Sequence, residues 1–145
     1  MNVFLDTSVL VSAVIKQHVF HERSFAVLDG VLSRKNEGFI SSHSLAEMYA
    51  VLTKLPPPYR HTPEQTLLSI EENVLKHFQA ISLTGNDYAA FLREAATSGI
   101  QGGTIYDALL LKCAHVSGAD RIYTLNLKHF QALAGAETLK KLAKP

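Results

Sequence analysis

With 145 residues, 47% of them hydrophobic, the chain is long enough for one domain with its own core and too short for two. A formal net charge of +1 gives no charge signature of nucleic-acid binding, although a local basic patch stays open; Lys140, Lys141 and Lys144 read first as a solvated tail. The lone Cys113 excludes an internal disulfide and CxxC zinc chemistry, and no uncharged apolar run approaches the ~20 residues needed to span a bilayer.

The first residues lack the basic stretch of a signal peptide, and Asp6 interrupts their apolar run, so a cytoplasmic protein with no membrane partner is expected. Val3-Phe4-Leu5 reads as a short buried strand, and Thr7 or Ser8 can cap a helix over Val9 to Ile15. A second helical pattern runs from about Glu22 to Arg34, on Phe25, Leu28 and Leu32. Gly38 opens a strand at Phe39-Ile40-Ser41, and the stripe Leu45, Met48, Tyr49, Leu52 predicts a helix over 44–54. Pro56-Pro57-Pro58 ends that helix. Thr62 then caps a helix with Pro63 at its first position, running to about His77.

Phe78 to Leu83 reads as a strand and Thr84 to Thr97 as a helix. Gly99, Gly102 and Gly103 form a connection, and Thr104 to Val116 is strongly helical, with Cys113 as a small buried side chain. Gly118 ends it, Arg121 to Thr124 forms the next strand, and a last helix is expected over 136–143. Short apolar strands alternating with amphipathic helices predict an α/β fold with a mostly parallel sheet, on a single domain spanning 1–145.

Ligands of open parallel sheets bind beyond the carboxyl ends of the strands. Asp6 directly follows the first strand, Glu47 lies a few residues past the second, Asp107 opens a helix after the glycine loop, and Asn126 follows the strand ending at Thr124. The three acids are expected in the first turns of their helices. Each alone has a structural reading: Asp6 as a helix cap, and Ser44-Leu-Ala-Glu47 and Thr104-Ile-Tyr-Asp107 as capping boxes. Jointly, three acids at one rim repel unless a cation or ordered water separates them. Carboxylate oxygens suit Mg²⁺ or Mn²⁺, and such an ion acidifies a bound water and neutralises a scissile phosphate. Ser8 and Thr124, at the same rim, are candidates to orient a carboxylate or that water. His18 and His21, in a loop, are placed to contact a substrate; His43, His115 and His129 are scattered.

Phe4-Leu5-Asp6-Thr7-Ser8, Ser44-Leu45-Ala46-Glu47, Ile105-Tyr106-Asp107-Ala108-Leu109 and Tyr123-Thr124-Leu125-Asn126-Leu127-Lys128-His129-Phe130 occur in an order and spacing that span almost the whole chain. In this set the chain resembles PIN domains of the kind found in VapC-type toxins. The resemblance implies a three-layer α/β/α sandwich, an acidic Mg²⁺ or Mn²⁺ site, and endoribonuclease activity in which a metal-activated water hydrolyses RNA phosphodiesters. It also implies the toxin role in a type II toxin–antitoxin pair, a small antitoxin partner covering the site, and a homodimer. Carried over, Asp6, Glu47 and Asp107 match the family's first three acids as metal ligands. The fourth position, usually aspartate, is Asn126, which offers a carbonyl oxygen without charge and puts a second metal in question.

Two other classes remain. A non-catalytic RNA- or protein-binding module on the same fold would account for the incomplete acidic set. An aspartyl-phosphate phosphatase would use Asp6 as nucleophile, but the second aspartate expected two residues on is Ser8.

Overall fold

In the computed structural model, which describes residues 1–145, the strands are β1 (Asn2–Leu5), β2 (Glu37–Ser41), β3 (Phe78–Ile81), β4 (Arg121–Tyr123) and β5 (Leu142–Ala143). The helices are α1 (Thr7–Val14), α2 (His21–Leu32), α3 (Ser42–Lys54), α4 (Pro63–Ile70), α5 (Gly85–Thr97), α6 (Thr104–Val116), α7 (Leu127–Leu133) and α8 (Ala136–Leu139). All four strand pairings are parallel, in the order β3-β2-β1-β4-β5. Helices cover both faces, which makes the three-layer α/β/α sandwich. No helix is long and apolar enough to cross a membrane.

Side chains alternate across the sheet, and the two faces feed two apolar clusters. Val3 and Leu5 of β1 and Ile40 of β2 point to one side, where they pack with Leu10, Leu28, Met48 and Leu52. Phe4, Phe39 and Ile122 point to the other, against Leu110, Cys113 and Phe130. The register sets these groups in line: Phe4 pairs with Phe39 on one flank and with Ile122 on the other. Fully burying a side chain of this size contributes about 1.5–3 kcal/mol, so the central strand is fixed by its own three buried residues before any functional group is considered. Gly38 is required by close approach: a Cβ there would stand 2.5 Å from Phe78 Cδ1 and 2.6 Å from Val31 Cγ1.

The order of the strands makes a switch point. From β1 the chain moves outward through β2 to β3, then crosses back to lay β4 on the opposite side of β1. Connections diverge between β1 and β4, so their carboxyl ends leave a crevice.

Several expected boundaries shift by one or two residues. Three differences have a physical cause. The helix expected to run to His77 is α only to Ile70 and then widens into a π-helical turn, Glu71–Leu75. There the Asn73 side-chain amide donates to the Ser69 carbonyl, 3.0 Å away, and competes for the oxygen an α-helix gives to the Asn73 N–H. The segment expected as one helix over 136–143 divides into α8 and the two-residue strand β5, because Ile122 and Thr124 donate their amides to Lys141 and Ala143. Helix α7 was not expected; it is two turns long, has no side-chain cap, and is anchored by the fully buried Phe130.

Neither capping box that the spacing of Glu47 and Asp107 allowed forms. Ser41, not Ser44, caps α3, so Glu47 lies in its second turn rather than its first. Gly103 occupies the cap position of α6 with no side-chain bond, and Asp107 stays in the first turn without closing a box. Thr62 and Thr84 do close boxes, with Gln65 and Asp87.

Candidate active site

Asp6 emerges from β1 with its backbone still in the sheet: its N–H donates to the Tyr123 carbonyl at 3.0 Å. It takes the cap position of α1 but gives that helix no side-chain bond. Instead, Oδ2 accepts from Ser8 Oγ at 2.6 Å and from Thr124 Oγ1 at 2.8 Å, the latter 118 positions along the chain. The two hydroxyls both take Oδ2, and neither takes Oδ1. They are themselves held, because Ser8 Oγ accepts the Leu125 N–H at 3.1 Å and Thr124 Oγ1 accepts the Asn126 N–H at 3.0 Å. Thr124 is fully buried behind the carboxylate, and Asp6 is 2% exposed.

Glu47 reaches the same place from α3. Its Oε1 lies 3.2 Å from His43 Nε2, one turn earlier, and 3.3 Å from Thr7 Oγ1. Thr7 Oγ1 is also 2.9 Å from the buried Ser44 Oγ, so Ser44 braces α1 against α3 in place of capping. Asp107 enters from α6 and Asn126 from the start of α7. Asp6, Ser8, Glu47, Asp107 and Asn126 line one open pocket of ≈ 470 Å³ at the β1/β4 crevice. Its apolar wall is Val11, Val51, Leu110 and Leu125, and His18 and Phe20 stand at the rim. Ring stacking adds a feature at the His43 end: the imidazole lies parallel to Tyr106, with centroids 5.1 Å apart and planes 2° apart.

Burial raises all three carboxyls, and neighbouring negative charge adds to it at Asp6 and Glu47. Burial pushes the Asp6 carboxyl above its ordinary value; the Asp107 charge adds to that, and the Ser8 and Thr124 bonds oppose it. Glu47 is raised by burial and by the charges of Asp6 and Asp107, against His43 and Thr7. Asp107 is raised by burial, with His129 opposing.

No three acidic, histidine or cysteine side chains stand close enough to close directly round one ion. Like charges turn to their own partners, Asp6 to its two hydroxyls and Glu47 to His43 and Thr7. The donor set, three carboxylates and an amide with no thiolate, still fits a hard cation that keeps several of its waters and takes only one or two carboxylates directly.

The pocket gathers Asp6, Glu47, Asp107, Asn126 and Ser8, with Thr124 one layer behind. His21 stays outside it, beside the Ser12 carbonyl and stacked on Phe25, and His115 lines a separate cavity between α5 and α6. Sequence reasoning gave no site role to Thr7 and Ser44, read as helix caps, to His43, read as a scattered histidine, or to Tyr106. The spacing of His43 and Glu47, one helical turn apart, was the available signal.

The sequence profile of the PIN domain matches residues 3–136. Among curated proteins, the chain is similar to ribonuclease VapC40 of Mycobacterium tuberculosis strain H37Rv, 31% identical over 124 residues that cover 85% of each protein. It is 33% identical over 111 residues to ribonuclease VapC27 of the same strain, covering 76% of this chain and 74% of the relative. Among solved structures, it is similar to a chain of VapBC2 from Rickettsia felis bound to a DNA fragment from its promoter. That match has a TM-score of 0.66 and 24% identity, and it covers 99% of this chain and 98% of the other, which makes it a likeness of fold.

Proposed function

The chain belongs to the PIN-domain family, and on that premise we propose that it is a Mg²⁺- or Mn²⁺-dependent endoribonuclease, the toxin of a type II toxin–antitoxin pair. The observation that carries this reading is the convergence of three raised-pKa carboxylates and an amide on one open pocket. The relatives' names, ribonuclease VapC40 and VapC27, supply the reaction class.

Asp6, Glu47 and Asp107 would hold the ion, with Asn126 contributing a neutral oxygen. A divalent ion held there supplies charge neutralisation for the phosphate and a more acidic water. The chain's own residues do the positioning. Ser8 and Thr124 hold Asp6 Oδ2, and neither hydroxyl occupies Oδ1, the oxygen that would be offered to an ion. His43 and Thr7 fix Glu47 at the opposite side of the pocket. The crevice is open to solvent, which suits a polymeric substrate laid across it. The apolar wall beside the acids would take the cover of a small antitoxin, and a homodimer belongs to the same reading. Residues 1–145 act as one domain, since both apolar clusters share the β1–β2–β4 centre.

Asp6→Asn tests the mechanism. It is expected to abolish Mg²⁺- or Mn²⁺-dependent RNA cleavage while the circular-dichroism spectrum stays that of the parent; undiminished cleavage refutes it. The spacing of the carboxylates, too open to enclose one ion directly, favours a second reading as a non-catalytic RNA- or protein-binding module. Isothermal titration separates the two: carboxylate-dependent Mn²⁺ binding together with RNA cleavage leaves no place for the module.

A further inference from the structure

Tyr106 is a large aromatic side chain left 52% exposed, on the residue just before Asp107. A tyrosine of this size normally buries most of its ring. Here one face lies flat on the His43 imidazole, with planes 2° apart, and the rest is open. The imidazole in turn touches the Glu47 carboxylate at 3.2 Å. The stack therefore joins α3 to α6, with His43 against the Glu47 carboxylate and Tyr106 next in sequence to Asp107.

Unpaired bases of RNA are recognised by stacking on aromatic side chains, and stacking is worth most where the ring needs no reordering. We propose that the His43–Tyr106 stack is a nucleobase platform. In it, Tyr106 receives an unpaired base of single-stranded RNA beside the phosphate that the carboxylate pocket holds. The proposal rests on the ribonuclease reading and adds the side chain on which a base of the substrate would stack. A base stacked on Tyr106 fixes its own nucleotide next to Glu47, so the platform selects unpaired over paired strands. Tyr106 is on this account a substrate-contacting residue, and His43 positions it.

The test uses the full chain carrying Asp6→Asn, which retains RNA without cutting it, and a short single-stranded RNA in which 2-aminopurine replaces one base at successive positions. At one or two positions the probe's fluorescence is expected to be quenched on binding. Tyr106→Ala and Tyr106→Leu are expected to remove the quenching and weaken binding roughly 5- to 100-fold. Tyr106→Phe and Tyr106→Trp are expected to keep both. With Asp6 restored, Tyr106→Ala raises KM for single-stranded RNA and leaves kcat within a few-fold.

Quenching and affinity unchanged in Tyr106→Ala overturn the platform and leave the ribonuclease standing. Conversion of a dimer to a monomer by Tyr106→Ala, seen by light scattering, also overturns it and places the ring in a subunit contact. Quenched binding by a parent chain that cuts no RNA keeps the platform and refutes the ribonuclease. Absence of both binding and cleavage in the parent refutes both.

Discussion

Thr124→Val isolates the support beneath Asp6. Valine matches threonine in shape, so the change opens no cavity, and its cost is that of the hydroxyl alone. That hydroxyl serves two partners: it donates to Asp6 Oδ2 at 2.8 Å and accepts from the Asn126 N–H at 3.0 Å. A hydrogen bond to a charged group contributes about 1.5–3 kcal/mol and a neutral one about 0.5–1.5 kcal/mol. Asn126 is open to water, which takes over its amide, while Asp6 is enclosed and keeps only Ser8. The loss is therefore expected near the lower end of the combined range, about 2–3 kcal/mol of unfolding free energy at neutral pH. Ser8→Ala, at a partly exposed position, is expected to cost about 1 kcal/mol because water reaches the site it vacates. Urea unfolding measures both, with unchanged m-values as the condition for reading midpoints as stability. Cleavage is expected to fall about 10- to 100-fold in Thr124→Val, as it does when groups supporting metal ligands are removed. A Thr124→Val protein within about 0.5 kcal/mol of the parent, or no less stable than Ser8→Ala, refutes the assignment of Thr124 as the main buried support.

Three further outcomes follow from the same geometry. Because Asp6, Glu47 and Asp107 are raised above their ordinary values, the folded state binds protons that the unfolded state releases. The stability this contributes to the protein in EDTA is therefore fully present below the ordinary carboxylate range and is lost as pH rises from there through the raised folded values. Asp87, lowered by the Thr84 N–H, acts in the opposite sense only at more acid pH. Melting near the ordinary carboxylate range, at about pH 4.5, is expected above that at about pH 7.5, by a margin that shrinks in Asp6→Asn; an unchanged margin removes Asp6 from the raised set. Gly38→Ala is expected to destabilise by about 1–3 kcal/mol in thermal melts, since its Cβ meets the Phe78 ring and Val31 at once. Asn126→Asp completes the acidic set and is expected to tighten Mn²⁺ binding several-fold by calorimetry; weaker binding would remove Asn126 from the ion's surroundings.

What the sequence disclosed, and what it withheld, follows physical lines. The strand before Asp6 was legible because Val3, Phe4 and Leu5 form an apolar run stopped by an acid, and α6 because its pattern extends over three turns. The pocket's membership was legible because Asp6, Asn126 and their neighbours follow strands, where parallel sheets bind ligands. Helix α7 and strand β5 were not, since their stability comes from Phe130 in a distant core and from pairing with β4. The role of Ser44 was hidden for a related reason. Its spacing to Glu47 matches a capping box, but a helix starting two residues earlier turns its hydroxyl inward to Thr7. Local patterns report local bonds, and Thr7–Ser44, Asp6–Thr124 and His43–Tyr106 are made between elements far apart in the chain.

The separation of 118 positions from Asp6 to Thr124 also sets a clock for synthesis. At roughly 5–20 residues per second, translation separates the two by about 6–24 s. Until then the edge of β1 that β4 fills is open, the Asp6 carboxylate lacks the Thr124 hydroxyl, and the Asp6 N–H lacks the Tyr123 carbonyl. The carboxylate pocket thus comes into being in one late step, when the segment through Asn126 docks. A fragment that ends upstream of β4 lacks Thr124, Leu125 and Asn126 and so cannot complete the pocket.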